Sequence, residues 1–142
     1  MRDSMKLLRE CETGGKVALD WFVKAEEEIE NERLKKVLEE YQQKYGLYSN
    51  RIQQEFFSRR KRSKDLTPVE KARVWMKLHT GLLMKHTDSE IADMLSTACF
   101  TQMKQISHAL NQYTRAEQNS VALAKELILL QQKCTEDLRE FL

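Results

Sequence analysis

The sequence predicts an all-α protein. Four long amphipathic helices form two antiparallel hairpins, with a shorter crossover helix between helices 2 and 3. Three observations carry this. Glycine and proline are scarce, four and one in 142 residues, whereas a β-sandwich or barrel needs a Gly, Pro, Asn or Asp turn about every 8–12 residues. Apolar residues recur at alternating steps of three and four through four long segments, the period of a bundle-packed helix. Thr67-Pro68-Val69-Glu70 and Thr87-Asp88-Ser89-Glu90 have the spacing of capped helix starts. The length suits one domain, residues 1–142.

Helix 1 is marked by Leu8, Cys11, Gly15, Ala18, Phe22, Ala25 and Ile29. Gly15 stands in the seam itself, where glycine costs about 1 kcal/mol relative to alanine; a close helix approach explains it. The seam pauses at Glu30-Asn31-Glu32 and resumes as Leu34, Leu38, Tyr41, Tyr45, Tyr48, Ile52 and Phe56. Three tyrosines in one seam imply a partly polar interior, because a buried phenol needs a hydrogen-bond partner. The crossover helix is expected over 68–86, with Ala72, Trp75, Met76, His79 and Leu83 on one side. Helix 3 shows Ile91, Leu95, Ala98, Gln102, Ile106, Ala109 and Tyr113. Helix 4 shows Ala124, Leu127, Gln131, Cys134, Leu138 and Phe141.

Charge narrows the function classes. Lys and Arg total 24 and Asp and Glu 22, so no whole-molecule field attracts nucleic acid, which is not an expected partner. No apolar run approaches the roughly twenty residues of a membrane span. No apolar signal stretch stands at the N-terminus, so a cytoplasmic location is expected. Cys11, Cys99 and Cys134 are far apart and include no C-x-x-C pair; they read as buried reduced thiols acting as small hydrophobes.

The order hairpin, crossover, hairpin is that of ferritin-like folds. Cys11 with Gly14, Ala25-Glu26, Leu34-Lys35, Trp75 with Lys77, and the run Gln131 to Phe141 with Glu136-Asp137-Leu138-Arg139 carry a closer likeness. On these residues the chain resembles the ferritin-like bacterial proteins of unknown function related to the rubrerythrin branch. The resemblance spans nearly the whole chain. It implies a ferritin-like four-helix bundle and homo-oligomerisation, and no established activity.

The chemistry of that superfamily needs Glu-x-x-His pairs, which place carboxylate and imidazole on one helical face toward one metal. Here Met76, Leu83 and Gln105 stand three residues before His79, His86 and His108. Cys99-Phe100 stands where the resembled family often has Gly-Glu. Gln102, Gln105 and Gln131 occupy or adjoin core positions, and neutral amides are poor iron ligands. No cofactor and no catalytic residue are therefore expected. An unconventional metal site would draw on Glu12, Glu26 or Glu55 with Tyr48 or His108, the alternative being solvated charges flanking the seams. His79 and His86 share a face of the crossover helix and read as interface or core residues. Gly14-Gly15 lacks the pattern of a phosphate loop.

Two further groups are candidates for function. Tyr41, Tyr45, Tyr48, Gln102 and Gln131 form a possible polar interior. Arg59, Arg60, Lys61, Arg62 and Lys64 form a possible anion or partner patch, or simply cations at a helix C-terminus, where they favour the dipole. Phe56 fits the seam beside this run; Phe57 either packs under the crossover or is exposed. The expected function is that of a non-catalytic structural or interaction protein, self-associating as a homodimer or larger or binding another protein. The alternative is a di-iron or manganese oxidoreductase or storage protein with an unconventional site.

Overall fold

The structure, a computed structural model, describes residues 2–67 and 86–142 of the 142-residue chain. The described residues form four α-helices: α1 (Arg2–Glu26), α2 (Glu32–Ser58), α3 (Asp88–Gln112) and α4 (Gln118–Leu138). A 3-10 turn, Arg139–Phe141, follows. No strand occurs among the described residues. The crossover helix expected over 68–86, with Trp75 and His79, falls on residues outside those described, except for His86 at its end.

The seams form the core, except that Ala98, Tyr113 and Phe141, expected on the seams of helices 3 and 4, are only partly buried at its edge. All seven α2 seam residues, Leu34 to Phe56, are buried, as are Leu8, Cys11, Gly15, Ala18, Phe22 and Ala25 on α1. Each fully buried Leu, Ile or Phe side chain contributes about 1.5–3 kcal/mol, so these stripes, more than helix propensity, hold the helices in place. At Gly15 α1 packs closely on α2: a Cβ there would lie 3.4 Å from Tyr48 Cδ1. Trp21, Ala92 and Cys99 are also buried, beside the single-residue seams, because a core-facing stripe is wider than one residue per turn.

Helix ends are closed by recognisable chemistry. Asn31 caps α2, its Oδ1 accepting from the N–H groups of Arg33 and Leu34 at 2.9 and 3.0 Å. Thr87 and Glu90 form the predicted capping box of α3. The α1–α2 turn is fixed from a distance: the Asp88 carboxylate accepts from the backbone N–H groups of Glu30 and Asn31 at 3.1 and 2.9 Å.

These contacts set helix direction. The start of α3 and the end of α4 lie beside the α1–α2 turn, through Asp88 and through the ion pair of Arg33 with Glu140. At the opposite pole Asp3 and Ser4 accept the N–H groups of Arg115 and Glu117 at 3.0 and 2.7 Å, and Arg59 reaches Glu117 at 2.7 Å. Thus α2 ends at one pole and α3 begins at the other. α1 packs against all three other helices, α2 also packs on α4, and α2 and α3 make almost no contact. α2 and α3 run parallel across the long diagonal; every neighbour around the perimeter is antiparallel, so helix dipoles largely cancel.

Candidate functional site

The candidates for a polar interior, Tyr41, Tyr45, Tyr48, Gln102 and Gln131, are all buried, and of the five Gln102 and Gln131 alone are hydrogen-bonded to each other. Seam register points all five side chains inward from α2, α3 and α4, and all are buried. Tyr41 Oη donates to Asp137 Oδ2 at 2.5 Å, at the rim where Asp137 is exposed. Tyr48 Oη donates to the Leu123 carbonyl at 2.8 Å. Gln131 Nε2 donates to Gln102 Oε1 at 2.7 Å, and Gln102 Nε2 donates to the Gly14 carbonyl at 3.1 Å. An amide chain therefore runs from α4 through α3 to α1. Two atoms are left over: Tyr45 Oη and Gln131 Oε1 are buried without a hydrogen-bond partner.

Burial dominates the acid–base properties of this interior. It pushes the phenols of Tyr41, Tyr45 and Tyr48 well above their usual range, and Asp137, Cys99 and Cys11 respectively add to the shift. Burial likewise pushes the Cys11 thiol up to about 12. Cys134 is raised first by the neighbouring Cys99 thiol and then by burial. All three cysteines are buried and free. The interior thus combines amides with phenols and with Cys11 and Cys134 thiols that stay neutral at physiological pH. Such a donor set does not fit a di-iron centre, which needs carboxylates and imidazoles.

Of the candidates for an unconventional metal site, Glu12, Glu26, Glu55 and His108 are not brought together. Glu12 is buried on α1, Glu26 accepts from Gln42 Nε2 at 2.6 Å near the α1–α2 turn, and Glu55 pairs with Arg59 at the end of α2. His108 is exposed on α3. Among the described residues no three His, Cys, Asp or Glu side chains are placed to hold a metal ion.

Glu12 has instead a role that its position beside the seam did not reveal. Only 4% exposed, it accepts from Arg9 Nη1 at 2.8 Å, Lys16 Nζ at 3.2 Å, Ser63 Oγ at 2.7 Å and the Lys64 backbone N–H. Burial alone would raise its pKa; the four hydrogen bonds outweigh that, and the net shift is downward. Arg9 and Lys16 also donate to the Arg62 and Lys64 carbonyls, at 2.7 and 2.5 Å. The segment after α2 is therefore strapped to α1.

This strap sorts the basic run into two kinds of residue. Arg59 turns inward, its side chain 8% exposed, and pairs with Glu55 and Glu117 at 3.0 and 2.7 Å. Arg60, Lys61, Arg62 and Lys64 are exposed. The chain reverses at Arg60, which takes φ 56°, a left-handed conformation uncommon for a side chain of this size. Phe57 is 83% exposed, so the core takes Phe56 and leaves Phe57 in solvent beside the cations. Among the described residues no helix is long and apolar enough to cross a membrane. No protein-family model, curated protein or solved structure matches the chain.

Proposed function

We propose that this chain is a non-catalytic bundle of ferritin-like topology that works through protein contacts, self-association among them. The observation that carries the reading is the composition of the bundle interior. The core includes Tyr41, Tyr45, Tyr48, Gln102, Gln131 and three thiols, and Tyr48 and the two amides spend their donors on one another or on backbone carbonyls. Such an interior positions helices; it offers no charged base, no ionised nucleophile and no converging carboxylates. The helix directions support the topology: one long connection joining opposite poles, with antiparallel neighbours, is the ferritin-like order.

Metal analysis of protein purified without an affinity tag tests the reading. The expected result is iron and manganese well below one equivalent per chain, unchanged by refolding in the presence of either ion. Stoichiometric iron or manganese would overturn it in favour of an unconventional metal site.

A further inference from the structure

The near-neutral net charge conceals a strong separation of charge along the bundle. Residues 20–40, 86–93 and 133–142 lie toward the α1–α2 turn. They carry fourteen Asp and Glu against six Lys and Arg. Residues 2–16, 51–67 and 104–126 lie toward the opposite pole and carry thirteen Lys and Arg against seven Asp and Glu. Because the helix dipoles cancel, this polarity belongs to the side chains. The poles are separated by about 40 Å, the length of α2 at 1.5 Å per residue.

A group of like charges without ion-pair partners among the described residues stands at each tip. At the basic pole the exposed side chains of Arg60, Lys61, Arg62 and Lys64 have no ion-pair partner among the described residues, and Arg59 and Glu12 hold the loop that presents them. At the acidic pole Glu27, Glu28 and Glu30 are exposed and equally without an ion pair among the described residues. Each tip also exposes an apolar side chain: Phe57 beside the cations, and Val23, 45% exposed, one helical turn before Glu27. A fixed loop of like charges with an exposed aromatic ring is a surface made for a polyanionic partner, and the chain carries a matching surface at its other end.

We propose that the occupant of the basic pole is the acidic pole of a second copy of this chain, so that bundles associate head to tail. This rests on the self-association in the proposed function and names the surfaces that perform it. Arg60, Lys61 and Arg62 of one copy face Glu27, Glu28 and Glu30 of the next. A contact of this kind is heterologous: it leaves a free pole at each end and grows past two copies, as a ring or a filament. Its attraction is between exposed charges and is screened over a Debye length of about 8 Å at physiological salt.

Sedimentation velocity of the full chain in about 20 mM and about 500 mM salt, across a range of protein concentrations, tests it. The expected result is assembly beyond a dimer at low salt and an association constant at least about tenfold weaker at high salt. The triple variant Arg60→Glu, Lys61→Glu, Arg62→Glu and the triple variant Glu27→Lys, Glu28→Lys, Glu30→Lys each remain monomeric, and their equimolar mixture assembles again. Circular dichroism establishes that each is folded; glutamine triples replace either one that is not, each being expected to weaken assembly. A salt-insensitive oligomer, or a salt-sensitive one that stops at two copies, overturns the head-to-tail contact while leaving self-association standing. A wild-type monomer at every salt concentration overturns both. A monomer whose basic loop instead captures a single-stranded oligonucleotide, with capture lost in the first triple variant, assigns the basic pole to a nucleic acid and overturns the proposal.

Discussion

The Glu12 carboxylate on α1 accepts the hydroxyl of Ser63 at 2.7 Å, across fifty-one residues of sequence. With Arg9 and Lys16 on either side, this one buried carboxylate ties the segment leaving α2 back to α1. Replacing Glu12 by alanine leaves two cations and a backbone N–H facing a void, at an expected cost of about 2–3 kcal/mol in urea unfolding. Glu12→Gln keeps the size and is expected to cost about half that. The folded-state pKa lies below the usual 4.5, so Glu12 contributes stability above about pH 4.5 that is lost as pH falls through the lower folded value. Both variants should therefore show a flatter acid limb than the wild type; an unchanged acid limb would remove Glu12 from this role.

The three interior tyrosines should respond differently to loss of their hydroxyls. Tyr48→Phe removes a bond to the Leu123 carbonyl and is expected to destabilise by about 1 kcal/mol. Tyr41→Phe, at the wet rim beside Asp137, should cost somewhat less. Tyr45→Phe deletes a buried hydroxyl with no partner and is expected to be neutral or stabilising by up to about 1 kcal/mol. Thermal melts of the three variants give the order directly; Tyr45→Phe as the most costly would contradict it.

Alkaline pH should unfold the bundle through the same interior. Tyr41, Tyr45 and Tyr48 all have folded pKa values above the usual 10.0, and Cys11 is pushed up to about 12. Their contribution to stability is complete below the unfolded values and is lost as pH rises toward the folded ones. Stability should thus fall from about pH 9 upward, where free thiols begin to ionise. Tyrosinate absorbance from these three residues is expected to appear only together with loss of helical circular dichroism. A disulfide reagent at pH 8 should find no rapidly reacting thiol in the native protein and three in denaturant. Fast native reaction would show that Cys11, Cys99 and Cys134 are not buried as described.

The glycines separate into a packed one and an open one. Gly15→Leu drives a branched side chain against Tyr48 and should cost about 1–3 kcal/mol. A Cβ at Gly46 would meet nothing within 4 Å, so Gly46→Ala should raise stability by about 0.5–1 kcal/mol through helix propensity alone. Urea unfolding of the two variants separates the cases; equal effects would deny the close approach of α1 and α2 at Gly15.

Periodicity alone is enough to assign the buried face of α2, and most of that of the other helices. A repeat of three and four residues leaves one register, and every α2 seam residue from Leu34 to Phe56 is in the core. Much of the interior's chemistry is legible in the same way, because Tyr45, Gln102, Gln131, Cys11 and Cys134 occupy seam positions, whereas the buried Cys99 lies one residue off its seam. Residues one step off a seam remained ambiguous. Glu12, Glu26 and Glu55 look alike in periodicity; only the return of the chain past α1 supplies Ser63 and Lys64 and so makes Glu12 the buried one. Arg59 differs from Arg60 because Glu55 and Glu117, the residue that precedes α4, lie within reach of it. The capping of the α1–α2 turn by Asp88 and the gathering of acidic residues at one pole depend on which end of the bundle α3 begins at. Local periodicity fixes faces but not the direction of a helix reached by a long connection, so these features were decided by the tertiary structure.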